Sequence, residues 1–531
     1  MYDLLITHGR VVDGTGAPWF HADVAVANGR IAAIGRLAGR DSRLRIDATD
    51  RVVCPGFIDA HSHSDATLLV NPRAESAVRQ GVTTMLVGLC GFSAGPIAPD
   101  RVEQYRTDGM VFSFEGYTWT WQSLGEYRAA LQAVHPALNV ATLVGHTPVR
   151  LSAMGLDNRP PDAGELRRMQ GMIRAALDEG ARGFSTGLTY TPGNFAATEE
   201  LIQLAKVLRP SGFAYQTHMR DYANGLLDSV AEAIRIGEEA GVPVVMSHMY
   251  PVGAANWRAK AVAAIEMAEQ ARRRGVDVTF DITPWLRGGG PFSQCIPPWA
   301  REGGVNAMAR RFRDPALRPR IVLEIEHGAP GWSGWFPPRW DDMLISRVGR
   351  PEHRDWCGRS IGDLAAERGQ APVEASLDLL VEDDGQFWIA PTIKSSADVD
   401  LILKHPLGIP IADGFALAPY GSLGQPDNPK SYGTFPRVLG HYVRERGVLG
   451  LEEAVNKMTG VPAARLHFWD RGLLRPGLAA DIVVFDPATV GERATYADPN
   501  QYPVGIDAVI VNGAVTVAQD THSGASAGLV L

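Results

Sequence analysis

The chain has 531 residues, too many for one minimal hydrophobic core, so we expect a large catalytic domain with a smaller domain beside it. Its net charge of −8 and its pI near 6.0 argue against a nucleic-acid partner, which would require a basic face. Hydrophobic residues make up 45% of the chain and charged residues 21%, which is ordinary for a globular protein.

Cysteine usage and the apolar runs indicate the cellular compartment. The 4 cysteines are scattered along the chain and too few for a disulfide framework, which suggests a reducing compartment or thiols used for chemistry. The first residues, "MYDLLITHGR", lack the basic segment and long apolar run of a secretory signal. No apolar run approaches the roughly 20 residues of a membrane helix. We therefore expect a cytoplasmic protein with no membrane partner.

The two ends of the chain carry similar strand patterns. Residues 1–55 contain short β-branched and apolar runs that end in Gly or Asn-Gly, the pattern of strands joined by tight turns. Residues 470–531 repeat it in "AADIVVFDPATV" and in "IDAVIVNGAVTVAQD", which contains the turn signal Asn512-Gly513. We infer that residues 1–55 and 470–531 together form one small β-sandwich domain.

Residues 56–469, by contrast, alternate short strands with helices. The strand-like runs are "GVTTMLVG", "NVATLVG", "ARGFSTG", "GFAYQTH", "VPVVMSH", "VDVTFDI" and "LGIPIAD". Between them, "GLLDSVAEAIRIGEEAG" has apolar residues at helical spacing, and another helix is expected to begin at Asp162 with Glu165 three residues on. This alternation predicts an α/β fold with a parallel sheet, either a (β/α)8 TIM-type barrel, which we favour, or a doubly wound sheet.

Residues 287–352 break this alternation. They are rich in Gly, Pro, Trp and Arg, as in "RGGGPFSQCIPPW" and "HGAPGWSGWFPPRW". A structureless loop of that length is uncommon in a compact domain. We therefore interpret the segment as an inserted lid subdomain. A surface linker is the alternative, although linkers rarely carry so many aromatic residues.

Residues that can bind a metal ion stand at or just beyond the ends of the predicted strands. These residues are His61, His63, Cys90, His218, His248 and Asp413. The carboxyl ends of the strands of a parallel barrel converge on one face, and imidazole, thiolate and carboxylate together are a zinc-type ligand set. Each residue alone is weak support, because a strand-end histidine more often has a structural role. Cys90 could also act as a nucleophile with His218 as its base.

Such a constellation suits the hydrolysis of an amide. A zinc ion lowers the pKa of a bound water to about 7 and polarises a carbonyl oxygen. A carboxylate beside the metal can take the proton of that water and deliver it to the departing amine. We assign this role to Asp413, and we expect a small-molecule amide as the substrate.

Several longer motifs follow one another in order along nearly the whole chain. They are "PGFIDAHSHSD", "GVTTMLVGLCGFSAGP", "GARGFSTGLTYTPG", "THMRD", "SYGTFPRVLGHYVRERGVL" and "LEEAVNKMTGVPAARL". In this succession the chain resembles the amidohydrolase superfamily, and within it the N-acyl-D-amino-acid deacylases, or D-aminoacylases. The two histidines of "HSH" alone would be a weak signal, whereas the ordered series is specific.

The resemblance implies a role for each predicted ligand. It implies one tightly bound zinc ion, whose ligands would be Cys90, His218 and His248. His61 and His63, with Asp413, would hold a second and weaker metal ion, and Asp413 would also be the general base. The resemblance further implies that the terminal strands form the small β domain of the superfamily, and that residues 287–352 cover the active site.

The substrate-binding positions depart from the deacylase pattern. Tyr250 stands where the family carries a lysine, Thr283 and Trp285 replace two tyrosines, and Lys430 replaces an arginine. These changes remove expected partners of a substrate carboxylate and hint at a larger or more apolar substrate. The candidate substrate contacts are Tyr190, Arg220, Tyr250, Trp285, Arg287 and Lys430.

Three functions fit these observations. The first is a zinc hydrolase of linear N-acyl amides, such as N-acyl-D-amino acids. The second is a zinc hydrolase of a cyclic amide or an amidated natural product. The third is a non-catalytic relative that serves as a scaffold, which the retention of all six candidate ligands disfavours.

Overall fold

The computed structural model describes residues 1–37, 39–108, 111–329, 332 and 338–531. Strands from both ends of the chain form one nine-stranded sheet. In chain order these strands are Tyr2–Val11, Phe20–Ala27, Arg30–Gly35, Ser42–Asp47, Val52–Pro55, Ile482–Phe485, Ile506–Val511, Ala514–Ala518 and Thr521–His522.

The two ends of the chain meet in the middle of this sheet. Val52–Pro55 pairs with Ile482–Phe485 in antiparallel orientation. Asn28 and Gly29 both have positive φ, 53° and 73°, as a tight two-residue hairpin requires, and they join two neighbouring strands of the sheet. Buried aliphatic residues of these strands pack together in a hydrophobic core of their own.

The strands between the two ends are parallel and form two sheets. The three strands of the first are Phe57–Asp59, Val82–Val87 and Asn139–Thr142. The six strands of the second are Val144–Gly145, Gly183–Gly187, Ala214–His218, Val244–Met246, Val278–Ile282 and Gly408–Pro410. All of their residues are buried, as expected of parallel strands that helices cover on the outside.

The two parallel sheets are linked at both ends. At one end only Leu143 separates the last strand of the first sheet from the first strand of the second. At the other end the Asp413 amide donates to the His61 carbonyl (2.9 Å), and the His63 amide donates to the Gly414 carbonyl (2.8 Å). Residues just beyond the first and the last parallel strands therefore lie side by side.

Helices follow most of the parallel strands. The α-helices are Thr67–Val70, Glu75–Val78, Val102–Asp108, Leu124–Ala133, His146–Met154, Ala163–Asp178, Thr198–Ala205, Leu226–Ala240, Ala259–Arg273, Pro298–Arg301, Gly304–Arg313, Arg318–His327, Ile361–Arg368, Pro372–Glu382, Ser396–Lys404, Lys430–Arg437, Leu451–Met458 and Gly460–Arg465. None of the described helices combines the length and the apolar character that crossing a bilayer demands.

Two of these helices show how local sequence sets the bounds. The helix Ala163–Asp178 begins at a capping box, in which Asp162 and Glu165 each accept a hydrogen bond from the backbone amide of the other. The helix Leu226–Ala240 ends at Gly241, whose φ of 68° allows the left-handed cap. Both features agree with the helices predicted from the sequence.

An inserted segment lies between the last two parallel strands. Its short strands Gly290–Pro291, Leu344–Arg347 and Trp388–Ala390 form an antiparallel sheet. Buried side chains from Phe292 to Ile389 form a hydrophobic core that is separate from the core around the parallel strands.

The predicted limit of this segment, residue 352, falls too early. The separate core continues through the helices Ile361–Arg368 and Pro372–Glu382. These helices have ordinary amphipathic sequences, so composition does not distinguish them from the helices around the parallel strands. Residues 330–331 and 333–337 of the predicted lid lie outside the described residues.

Candidate metal centre

The structure brings the six predicted ligands together at the carboxyl ends of the parallel strands. His218 is the last residue of its strand, and the other five follow their strands within four residues. The histidines and Cys90 are buried, and the Asp413 side chain is 15% exposed. Side chains from five different strand ends thus meet in one place, as expected where parallel strands share one edge.

Three of the six candidates have an unusual backbone conformation. Cys90, His248 and Asp413 have φ values of 52°, 33° and 50°. Residues other than glycine seldom adopt positive φ, and such residues recur at active sites as well as in turns. The surrounding packing holds these three residues in a strained conformation, which is consistent with a site that positions their side chains.

Cys90 lies at the centre of the cluster. Its Sγ is 3.2 Å from His61 Nε2 and 3.5 Å from His248 Nε2. The described residues form three overlapping groups in which the potential ligand atoms all lie within 4.8 Å of one another. The groups are His61 with His63 and Cys90, Cys90 with His218 and His248, and His61 with His248 and Asp413.

The chemistry of these donors fits a zinc-type ion. Burial raises the pKa of the Cys90 thiol, but the neighbouring histidines reverse this effect and hold the pKa well below its usual value. The thiolate is therefore favoured, and the thiolate is the form that binds metal. The Nδ1 atoms of His63 and His248 are buried and have no hydrogen-bond partner among the described residues. Imidazole nitrogen and thiolate sulfur are preferred zinc ligands.

An acidic residue that was not predicted supports two of the histidines. Asp281 Oδ2 lies 3.3 Å from His61 Nδ1, and Asp281 Oδ1 accepts a hydrogen bond from the His248 amide. Asp281 belongs to the strand Val278–Ile282 and is 1% exposed. A carboxylate between Phe280 and Ile282 in a short β-rich run is the sequence signal that could have identified it, because such a group needs buried partners.

His218 contacts the loop that follows the strand Gly183–Gly187. Its Nε2 lies 2.8 Å from Thr189 Oγ1, and its Nδ1 lies 3.4 Å from Tyr190 Oη. Tyr190, a predicted substrate contact, therefore stands directly beside a predicted metal ligand.

Asp413 is held between a cation and two histidines. Its Oδ2 lies 2.7 Å from Lys430 Nζ, and its Oδ1 lies 3.3 Å from His63 Nε2 and 3.5 Å from His61 Nε2. Burial raises the pKa of Asp413, but the Lys430 charge and the contact with His63 outweigh it and bring the pKa well below its usual value. Asp413 is therefore a carboxylate at neutral pH.

A cavity of about 1140 Å³ opens above this cluster. Its lining includes His63, His218, His248 and Asp413 of the cluster. The inserted segment contributes another part of the wall, including Gln294, Arg301, Met308 and Trp332. The cavity is large enough for a small-molecule ligand and brings that ligand against the candidate metal ligands.

The predicted substrate contacts divide into two sets. Tyr190, Arg220, Tyr250 and Lys430 line the cavity. Trp285 and Arg287 are not among the described residues that line it. The Trp285 indole donates to Thr434 Oγ1 (2.9 Å), and Arg287 forms an ion pair with Asp342 (2.8 Å). Trp285 therefore does not support the expectation, drawn from the sequence, that the substrate is larger or more apolar.

Tyr250, which stands where the resemblance to deacylases implies a lysine, lies close to a lysine from a distant part of the chain. Lys394 Nζ lies 4.5 Å from the centre of the Tyr250 ring and donates to the Trp285 carbonyl (2.9 Å) and to Thr283 Oγ1. Burial lowers the pKa of Lys394 to about 7. Lys394 lies far along the chain, in the connection that leaves the inserted segment, and no sequence signal relates it to Tyr250.

Comparison with known proteins identifies the family. The model of the amidohydrolase family matches residues 45–517. The chain belongs to this family, which confirms the resemblance inferred from the motifs.

Within the family, the chain is similar to deacylases of D-amino acid derivatives. It is 33% identical to a D-aminoacylase of Alcaligenes xylosoxydans xylosoxydans, over 100% of this chain and 97% of the relative. It is 35% identical to an N-acyl-D-glutamate deacylase of the same organism, over 97% of this chain and 94% of the relative.

A solved structure agrees with these relatives. The N-acyl-D-glutamate deacylase of Bordetella bronchiseptica, complexed with zinc and a phosphonate inhibitor that mimics the tetrahedral intermediate of the reaction, is 34% identical to this chain. The match covers 100% of this chain and 99% of the Bordetella bronchiseptica chain, and its TM-score is 0.83.

Proposed function

We propose that the protein is a metal-dependent amidohydrolase that removes the acyl group from N-acyl-D-amino acids. The observation that carries this proposal is the buried cluster of thiol, imidazole and carboxylate groups at the base of the cavity. Membership of the amidohydrolase family and full-length similarity to deacylases support the reaction class.

The proposed architecture is a (β/α)8 TIM-type barrel of residues 56–469 with a small β domain of residues 1–55 and 470–531. Support comes from the parallel pairing of every neighbouring strand in the two central sheets and from the contacts that link the first strand to the last. The nine-stranded sheet built from both ends of the chain supports the second domain.

We assign the metal ligands within the cluster as follows. The tightly bound ion, zinc, would be held by Cys90, His218 and His248. His61, His63 and Asp413 would provide a second and weaker position. When bound, the metal supplies a Lewis acid that polarises the substrate carbonyl and acidifies a water molecule.

The chain's own residues supply proton transfer and orientation. Asp413, kept ionised by its surroundings, takes a proton from the attacking water and returns it to the nitrogen of the departing amine. Lys430 fixes the orientation of this carboxylate. Asp281 orients His61 through Nδ1 and holds the backbone of His248.

Metal analysis of purified protein tests the ligand assignment. We expect about one tightly bound zinc ion per chain, lost in Cys90→Ala and in His218→Ala. Cys357→Ser is the matched control, because Cys357 lies in the inserted segment and belongs to none of the three ligand groups. Full zinc occupancy in both ligand variants would contradict the assignment.

A substrate panel with the same preparations tests the reaction. We expect hydrolysis of N-acetyl-D-amino acids in preference to the L-forms, and little turnover of cyclic amides. Turnover of cyclic amides alone would overturn the deacylase proposal and favour the alternative predicted from the sequence.

A further inference from the structure

One side of the cavity above the candidate metal cluster is lined by uncharged side chains. Its lining residues between positions 92 and 194 include four with aliphatic or phenylalanine side chains, Phe92, Val111, Leu156 and Leu188, and the others there are threonine, tyrosine and asparagine. The lining residues between positions 218 and 252, by contrast, include Arg220, Asp221 and Asp228. The cavity therefore has an apolar side and a charged side, which follow different parallel strands.

The inserted segment adds apolar residues to the apolar side. Val305 and Met308 belong to the helix Gly304–Arg313 and line the cavity. This helix contacts the helix Val102–Asp108, which precedes Val111 in the chain. Arg301 of the same segment also borders the cavity, but it is 6% exposed, and its Nη1 donates to the Thr189 carbonyl (2.6 Å). It therefore presents little charge to a ligand.

The apolar side begins directly beside the candidate metal ligands. Phe92 follows Cys90 by two residues, and its ring centre lies 5.0 Å from that of Tyr190. The Tyr190 ring in turn lies 4.7 Å from the His218 ring. The Leu188 amide donates to the His218 carbonyl (2.9 Å). A ligand group that extends from the cluster in this direction therefore meets apolar side chains at once.

The chemistry of the proposed reaction indicates which group of the substrate extends this way. Asp413 is proposed to return a proton to the departing nitrogen, so the amino-acid part of the substrate lies on the side of Asp413. The acyl chain is the other substituent of the reacting carbonyl carbon, and it points away from that nitrogen. Asp413 follows the strand Gly408–Pro410 and Leu188 follows the strand Gly183–Gly187, with three parallel strands between them in the sheet. The acyl chain is thus directed toward the apolar side.

We infer that the apolar side binds the acyl chain of the substrate, so that the enzyme prefers N-acyl-D-amino acids with a chain longer than acetyl, such as hexanoyl. This inference rests on the proposed deacylase function. The cavity of about 1140 Å³ is at least as large as the sites of drug-sized ligands, and an N-acetyl amino acid is much smaller than such a ligand. Burying one additional methylene group favours binding by about 4-fold.

The test compares the N-hexanoyl and N-acetyl derivatives of one D-amino acid, the one that is the best substrate in the panel. We expect wild-type kcat/KM to be about 10- to 100-fold higher for the hexanoyl derivative, because its additional methylene groups become partly buried. Leu156→Asn and Val305→Asn each place a polar group of similar size on the apolar side. Both should bring the ratio of the two kcat/KM values close to one, mainly through KM for the hexanoyl derivative.

Two variants with the same substitutions are the matched controls. Leu323 and Val262 are 57% and 45% exposed and are not among the residues that line the cavity. Leu323→Asn and Val262→Asn should therefore keep the wild-type ratio. Because both substrates are measured on one preparation, the ratio does not depend on how much of a variant is folded.

Each other outcome decides the question. A wild-type enzyme that prefers the acetyl derivative overturns the inference, as does equal activity on both derivatives. A hexanoyl preference that persists in Leu156→Asn and Val305→Asn also overturns it, and so does a preference that the two control variants lose equally.

If wild type hydrolyses no N-acyl-D-amino acid, the proposed function fails, and binding then tests the apolar side alone. Wild type and Leu156→Asn are titrated calorimetrically with N-hexanoyl-D-alanine and N-acetyl-D-alanine. Tighter binding of the hexanoyl compound to wild type that the variant loses supports an apolar chain on this side. Equal binding of the two compounds, or binding of neither, refutes it.

Discussion

Lys430 Nζ and Asp413 Oδ2 form a 2.7 Å ion pair in which both side chains are largely removed from solvent. The lysine occupies the position at which the resemblance to deacylases led us to expect an arginine, and the aspartate follows the last parallel strand. The pair connects the wall of the cavity with the candidate metal cluster. It therefore links substrate binding to the group that we propose moves the proton.

Replacing Lys430 tests this link. In Lys430→Met the Asp413 carboxylate loses its fixed partner, and we expect kcat/KM for N-acetyl-D-amino acids to fall by about 10- to 100-fold. Lys404→Met, at an exposed helix end, should leave it unchanged. Steady-state kinetics on both variants makes the comparison, and wild-type kinetics in Lys430→Met would show that the ion pair has no part in the reaction.

Removing the negative charge of Asp413 separates proton transfer from metal binding. We expect Asp413→Asn to lower kcat by about 1000-fold or more, because general acid–base catalysis is lost, while the tightly bound metal ion remains. Single-turnover hydrolysis together with metal analysis of the same sample measures both effects. An active Asp413→Asn enzyme would exclude the role of this residue as the base.

Asp281 is expected to act on the metal through the histidines that it holds. We predict that Asp281→Asn weakens metal binding by about 10- to 100-fold, the usual effect of losing a group that orients a ligand. Asp277→Asn is the matched control, since Asp277 precedes the same strand and pairs with Arg465 on its far side. Competition with a chelator of known affinity gives the two values. Equal metal affinity in the two variants would show that Asp281 does not contribute to metal binding.

The start of the helix Ala163–Asp178 gives a pH-dependent prediction away from the site. Hydrogen bonds from Arg159 and from the Asp162 amide lower the pKa of Glu165 from 4.5 to about 2. Because the pKa is lower in the folded state, the stabilisation is complete above pH 4.5 and is lost as the pH falls toward 2. Glu165→Gln should therefore lower the unfolding temperature at pH 7.

Thermal unfolding of both proteins across this pH range checks the sign. The difference between wild type and Glu165→Gln should shrink steadily below pH 4.5 as the wild-type carboxylate becomes protonated. A difference that stays constant down to pH 2.5 would mean that the charge of Glu165 does not contribute to stability.

Much of the strand framework could be predicted because its signals are local. Each of the seven runs proposed as central strands contains a parallel strand in the structure. The convergence of His61, His218 and Asp413 follows from this framework, since parallel strands place their carboxyl ends together. The ligand cluster was thus predictable from residues that lie far apart in sequence.

Other features depend on packing that no local pattern encodes. Trp285 and Arg287 lie close to a strand end, yet the structure turns their side chains toward Thr434 and Asp342 rather than the cavity. Arg301 lines the cavity only because the inserted segment folds against the ends of the parallel strands. The sequence identifies which residues can carry charge, but not which of them face the cavity.

The separate core of the inserted segment bears on how proteins of this kind diverge. Arg301, in the wall of the cavity, belongs to the segment that forms this core. The candidate metal ligands, by contrast, follow the parallel strands, which pack in the other core. Substitutions in the inserted segment can alter which molecules enter the cavity without disturbing the candidate metal ligands. Over evolutionary time, descendants of one ancestor could exchange their preferences repeatedly while inheriting the same reaction.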